Sequence, residues 1–190
     1  MFTKQYKLYR EMMFRCSARN ITNAAGTSVQ AYPACSFQGD FGNGMVLAQC
    51  HDCYGENGIN GEYTSSSSGG SNRLGVFFGS GSTPPTEDDY CLDVPITTGL
   101  SITNGVLMSE NKGDGKYIFQ ANYTVRNTTT EEITIREIGY FGEIGRSGSS
   151  SKYYYSYALF ERTVLDEPIV IAPGTSKIVT YTLTFNQPSQ

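Results

Sequence analysis

The clearest pattern along the chain is an alternation of apolar and hydroxyl residues near its carboxyl end. Residues 179–185 read VTYTLTF, with large apolar residues at every second position and threonines between them. Successive side chains of a β-strand point to opposite faces of a sheet, so this period of two predicts a half-buried strand. Similar strand-like runs fill most of residues 116–186.

Turn-forming segments divide this region into separate predicted strands. They are rich in Gly, Pro and short polar residues, which favour hairpin turns, and cover 111–115, 127–130, 146–151 and 172–175. The predicted strands cover 100–109, 116–127, 131–142, 152–165, 168–171 and 176–186. With no helical block between them, these segments predict an all-β fold: an antiparallel, jelly-roll-like β-sandwich over residues 73–190.

One short α-helix is predicted at the amino end, over residues 2–16. The residues on its apolar side, at spacings of four, three and four, are Phe2, Tyr6, Tyr9 and Met13. Its basic residues are Lys4, Lys7, Arg10 and Arg15. A helix this short is marginal alone in water, so the apolar side must pack against something. Two partners remain open, namely its own domain and a neighbouring subunit with acids around an apolar groove.

Charge divides the chain into two parts. Residues 1–19 hold five of the 14 basic groups and one of the 18 acids, which leaves 9 basic and 17 acidic groups for the remainder. An acidic body lacks the basic stripe of a nucleic-acid-binding protein, so no nucleic-acid partner is expected. No apolar run is long enough to span a bilayer or to form a secretory signal, so we expect a soluble, unexported protein without a membrane partner.

The segment between the basic arm (residues 1–19) and the sandwich is predicted to be irregular. Residues 20–72 are rich in Gly, Ser, Asn and Cys, and only 45–48 favour a short strand. This segment contains Cys50-His51-Asp52-Cys53, in which Cys50 and Cys53 have the spacing of two zinc ligands. A complete zinc signature pairs two such motifs, and the other cysteines are single, so we expect free thiols and no cofactor.

No group of residues typical of catalysis is present. The single imidazole, His51, lies in the irregular segment, and no G-x-S-x-G motif joins a strand to a helix. Glu87, Asp88, Asp89 and Asp93 lack the alternating ligands of a calcium loop, which favours a turn that Asp88 or Asp89 caps. We therefore expect a protein that is not an enzyme.

A dense aromatic block follows the Gly/Ser loop 146–151. On a strand, Tyr153, Tyr155 and Tyr157 share one face of the sheet. Tyrosine has a large apolar ring and a polar tip, which suit sheet packing, subunit interfaces and sugar-binding platforms. We expect sheet packing or a subunit contact, with glycan binding as the alternative.

Three segments share patterns with a known group of proteins. Residues 74–92 contain G-x-G-x-T-P-P-T-x-x-D-Y-x-L, residues 133–142 contain I-x-E-I-G, and residues 159–185 contain R-x-x-L-x-x-P-I-x-I-x-P-G. In these motifs the chain resembles small virion-associated proteins of tailed bacteriophages, including phages of gut bacteria. The resemblance covers about residues 74–186.

The resemblance implies a structural subunit of a phage particle, located in the virion after assembly in the host cytoplasm, with no catalytic residue. We expect a symmetric homo-oligomer, for which a trimer is a common arrangement on phage appendages, tethered to other virion proteins by the basic arm. The alternative is a host-glycan-binding adhesin module of a phage fibre or appendage. A position on the tail, collar, baseplate or head surface stays open.

Overall fold

The part of the chain that the structure describes contains one helix and nine strands. The computed structural model describes residues 1–15, 19–31, 62–65, 75–111, 116–146 and 153–186. The elements are α1 (Lys4–Arg15), β1 (Arg19–Thr22), β2 (Ser28–Ala31), β3 (Glu62–Ser65), β4 (Gly75–Gly79), β5 (Leu100–Asn111), β6 (Lys116–Asn127), β7 (Ile133–Arg146), β8 (Tyr153–Ile171) and β9 (Ser176–Asn186).

The strands form two antiparallel sheets. The larger sheet has the order β1-β2-β7-β8-β3, with β4 also paired to β7, and the smaller sheet has the order β5-β6-β9. β7 pairs with β8 in the larger sheet while β6 pairs with β9 in the smaller one. The four strands therefore form one long antiparallel ribbon that folds across both sheets. The prediction of a mostly β, antiparallel protein with a short amino-terminal helix is confirmed, and the described strands close no barrel.

Apolar side chains from both sheets form one core. On β9, Val179, Tyr181 and Leu183 are buried and the threonines between them are exposed, which confirms the predicted half-buried strand. These residues share a core cluster with Val76, Phe78, Ile135, Ile138, Tyr140 and Phe160 of the larger sheet. Phe78 of β4 and Tyr123 of β6 join the two layers, with ring centroids 6.3 Å apart and planes at 83°.

The strand boundaries agree with the sequence pattern best in the smaller sheet. β6 and β9 begin and end at the predicted residues. By contrast, the two strands predicted at 152–165 and 168–171 are one strand, β8, whose pairing with β7 skips residues 165–168. Segment 20–72, which we predicted to be irregular, contributes β2, β3 and all but the first residue of β1 to the larger sheet. Strands this short show too little alternation to be recognised by periodicity.

Asn127 joins two of the predicted turns at the end of the sandwich. Its side-chain amide donates to the carbonyl oxygens of Glu131, at 2.6 Å, and Ile171, at 2.9 Å, and its Oδ1 accepts from the backbone N–H of Thr129 at 2.8 Å. Its backbone carbonyl accepts from Gly174, which has a φ of 68°. A side chain at this φ is strained, which explains glycine in the second turn.

Helix α1 packs on its own body. The rings of Phe2 and Tyr6 stack with centroids 4.6 Å apart, and the ring of Tyr9 lies 4.9 Å from that of Phe160 on β8. Tyr6 is only 8% exposed and belongs to the core cluster. Thr3 donates its backbone N–H to the Phe160 carbonyl at 3.0 Å. Of the two partners that the sequence left open, the structure shows the helix's own domain.

We predict that Tyr6→Ala destabilises the protein by about 3 kcal/mol, because it removes a buried aromatic ring between the helix and β8. Chemical denaturation followed by circular dichroism measures this change. The control, Lys4→Ala, alters an exposed position of the same helix and should change the free energy of unfolding by less than about 0.5 kcal/mol. Equal effects of the two variants would contradict the packing of α1.

Candidate functional site

The three segments that carry the phage-protein motifs meet on the outer face of the larger sheet. Ile138 and Tyr140 of β7 point into the core, so Glu137 and Gly139, which precede them, lie on the opposite face. The connection between β4 and β5, residues 80–99, covers that face. A Cβ on Gly139 would lie 2.7 Å from the Leu92 side chain of this connection, so glycine lets the two approach closely.

Arg162 of β8 links all three segments. Its Nε donates to Glu137 Oε2 at 2.7 Å, its Nη1 donates to Asp89 Oδ2 at 2.8 Å, and its Nη2 donates to the Thr83 carbonyl at 3.0 Å. The Arg162 side chain is 3% exposed and that of Glu137 is 0% exposed. Charge-assisted hydrogen bonds of this kind hold a fixed geometry because the guanidinium group is planar. We call Arg162, Glu137 and Asp89, with the 80–99 backbone they hold, the clasp.

Glu137 binds the backbone of the connection as well as the arginine. Its Oε1 accepts from the N–H groups of Gly81, at 3.2 Å, and Val94, at 2.8 Å. Its Oε2 accepts from the N–H of Asp93 at 3.1 Å. Both carboxylate oxygens therefore have partners, which is what a fully buried charge requires.

The two glycines of the first motif give the Glu137 carboxylate its space. A Cβ on Gly79 would overlap Glu137 Oε1, and a Cβ on Gly81 would lie 2.6 Å from both that oxygen and the Asp93 Cβ. Any larger residue at these positions would push the connection away from β7. The G-x-G pattern is therefore explained by packing around a buried acid.

Asp89 combines a turn cap with the ion pair. Its Oδ2 and Oδ1 accept from the backbone N–H and the hydroxyl of Thr86, at 3.0 and 2.7 Å, which confirms the prediction that Asp88 or Asp89 caps this turn. Burial alone would raise the pKa of Asp89, but the hydrogen bonds from Arg162 and Thr86 and the arginine charge hold it below its ordinary value. Asp89 and Glu137 in turn raise the pKa of Arg162, against the effect of burial.

The connection also touches the amino-terminal helix. The carbonyl of Glu87 accepts from the backbone N–H of Lys4 at 2.7 Å, and the Glu87 carboxylate pairs with Lys7 at 2.7 Å. On the other side of β8, Glu161 accepts from the Met1 amino group, at 2.7 Å, and from the Tyr181 hydroxyl of β9. Burial and the neighbouring Glu161 charge raise the pKa of Tyr181 well above its ordinary value. Adjacent residues of β8 thus fasten the connection, the helix and the smaller sheet.

The clasp is suited to holding structure rather than to chemistry. Its carboxylates are already bound to arginine and to N–H groups, so proton transfer would first have to break those bonds. Within the described ranges, no three His, Cys, Asp or Glu residues form a group that suits a metal ion, and no helix has the length and apolar character to cross a membrane. Burial raises the pKa of the free Cys91 thiol beside the clasp, which favours the neutral, unreactive form.

The residues predicted as contact sites differ in their burial. Tyr6 is buried in the core, and Phe2 and Tyr9 are half-buried against it. Lys4, Lys7 and Arg10 are exposed on the helix, and Arg10 also lies over the Tyr6 ring at 5.8 Å. The remaining predicted positions lie outside the described residues or have side chains that are not described: Met13, Cys50, Cys53, Tyr153, Tyr155 and Tyr157.

The sequence reading missed the role of Arg162 and Glu137. A signal was present, because each is a charged residue within an apolar strand, and the two charges are opposite. A buried strand position tolerates a charge only when a partner neutralises it. Pairing these two residues from sequence would have required the register between β7 and β8, and a slip of one residue moves every side chain of a strand to the other face of the sheet.

Comparison of the chain with protein-family models, with curated proteins and with solved structures found no match.

We predict that Glu137→Gln destabilises the protein by about 3 kcal/mol or more, because it leaves a buried guanidinium group without one of its two acids. Equilibrium denaturation measures the loss. The matched control is Glu132→Gln, which makes the same change at an exposed position and should have little effect. A Glu137 variant as stable as the control would show that the clasp contributes nothing to the fold.

The depressed pKa of Asp89 predicts a pH-dependent contribution to stability. A carboxyl group whose pKa is lower in the folded than in the unfolded protein stabilises the fold at pH values above its ordinary pKa of 3.8. This contribution is lost as the pH falls through the lower pKa of the folded state. Comparing the unfolding free energy of the wild type and Asp89→Asn across pH tests this directly. The difference should be greatest above about pH 5 and shrink in acid. A difference independent of pH would contradict the ion pair.

Proposed function

We propose that this chain is a structural subunit of a tailed-phage virion. The observation that carries the proposal is the clasp. The three segments that resemble virion-associated proteins are far apart in sequence, and Arg162 of one segment binds both Asp89 and Glu137 of the other two. Each of the three motifs supplies a residue of the clasp. This dependence of the motifs on one another supports a fold that is shared by the whole group of virion-associated proteins.

The same geometry favours an architectural role over an enzymatic one. The acids of the clasp hold a loop on a sheet, and the apolar face of α1 fills the chain's own core. A rigid two-sheet body with a fastened loop is suited to repeated assembly, in which each copy must present the same surface. We also propose the finer fold assignment, a jelly-roll-like sandwich, which the ribbon of β6, β7, β8 and β9 supports.

The tether part of the proposal changes with the structure. Tyr6 is buried in the chain's own core and Phe2 and Tyr9 are half-buried against it, so we assign the contacts with neighbouring virion proteins mainly to the exposed basic side chains Lys4, Lys7 and Arg10. Acidic groups on a neighbour would pair with them, and many weak contacts in a symmetric homo-oligomer would add together. Lys7 already pairs with Glu87 and Arg10 lies over the Tyr6 ring, so Lys4 carries most of this role.

The adhesin alternative rests on Tyr153, Tyr155 and Tyr157. Their strand, β8, pairs with β3 through residues 153–156. A host-glycan surface formed by these tyrosines is a separate function, which binding assays on the same purified protein can test.

We predict that antibodies against this chain label purified, intact phage particles at a fixed position in electron micrographs. The contribution of the basic arm is tested by a phage carrying Lys4→Glu, which should lose this label because the charge of the contact is reversed. A phage carrying Glu132→Lys, a charge reversal outside the arm, serves as the control and should keep it.

Two outcomes would contradict the proposal. Label confined to the lysate, with none on particles, would exclude a virion subunit. Specific binding to a glycan array by the isolated protein, with particle label confined to a fibre or appendage, would favour the adhesin alternative.

A further inference from the structure

The smaller sheet ends in a long, regular edge. Among the described residues, β9 pairs only with β6, over all eleven residues from Ser176 to Asn186 and without a register shift. The N–H and C=O groups on the other side of β9 therefore have no strand partner in that part of the chain. An unpaired edge of this length is a template for another strand.

β9 lacks the features by which proteins normally block such an edge. Bulges, prolines and inward-pointing charges prevent pairing. The opposite edge of the same sheet, β5, contains a register irregularity between Asn104 and Leu107. β9 contains no proline and no irregularity, and its single charged residue is Lys177 near one end. Of the two edges, β9 is the one built to accept a strand.

We infer that β9 is a self-association edge, at which a second copy of this chain adds its own β9 in antiparallel orientation. Charge favours this direction. Full-length antiparallel pairing about Tyr181 places Lys177 opposite Phe185 of the second copy, whereas parallel pairing in register would place Lys177 opposite Lys177. Directly opposed like charges destabilise strand pairs, so the antiparallel arrangement is favoured.

The side-chain pattern fits the same register. Pairing about Tyr181 brings Val179 opposite Leu183 of the second copy on the core side and Thr180 opposite Thr182 on the outer side. Ile178, an apolar residue that is 73% exposed in the single chain, then lies opposite Thr184 and loses part of that exposure. Apolar–apolar and threonine–threonine cross-strand pairs both stabilise a sheet. The result is a continuous six-stranded sheet across a two-fold axis.

This inference does not rest on the phage proposal, because it concerns two copies of the purified chain. Light scattering of the full-length protein across a dilution series should give twice the 20.8 kDa chain mass. Thr180→Lys with Thr182→Lys places lysine opposite lysine twice at the two-fold axis. It should raise the dimer dissociation constant about tenfold or more, so that the variant runs as a monomer.

A charge-swap experiment separates lost pairing from lost folding. Thr180→Glu with Thr182→Glu should also be monomeric, and mixing the lysine and glutamate variants in equal amounts should restore a dimer of one copy each. Thr124→Lys, on the same exposed face but on the central strand β6, is the control and should remain dimeric. A monomeric or trimeric wild type, a lysine variant that stays dimeric, or a mixture that stays monomeric would overturn the inference.

Discussion

The buried guanidinium group of Arg162 is shielded from water, so its N–H donors must have hydrogen-bond acceptors within the protein. The rest of the structure depends on meeting this requirement. Removal of a charge from water is so unfavourable that the group must be paired and hydrogen-bonded. Arg162 meets this condition only when Glu137, Asp89 and the Thr83 carbonyl are in place together. These bonds fix β7 and two points of the 80–99 connection relative to β8.

The clasp accounts for features that otherwise look unrelated. Glycine is required at Gly79 and Gly81 because Glu137 occupies the space beside them. The connection, once held, places Glu87 where it accepts from the first turn of α1. Buried ion pairs add little net stability compared with apolar packing of the same volume, because desolvation offsets the attraction. Their main consequence here is geometric, since a single arrangement of the connection satisfies all the charges.

The sequence predicted those parts of the fold that depend on local periodicity. β6 and β9 alternate cleanly and were located to the residue, and the helix was found from its aromatic spacing. The four-residue strand β3 was missed because it is stabilised by pairing with the distant strand β8, and β1 and β2, which pair with each other, were missed because each is too short to show alternation. The clasp was missed for a related reason. Its three residues are brought together by strand register and a loop path, and neither can be read from one segment alone.

A loop that is fixed to a sheet presents a surface of constant shape. The proposed role in the virion needs such a surface, because each copy must present the same one. The central claim is that Glu137 binds the connection through backbone N–H groups, which native-state hydrogen exchange measures directly. We expect the amides of Gly81 and Val94 to exchange as slowly as those of the paired strand β7, although neither lies in a strand. Exchange of these two amides at the rate of an exposed loop would contradict the account.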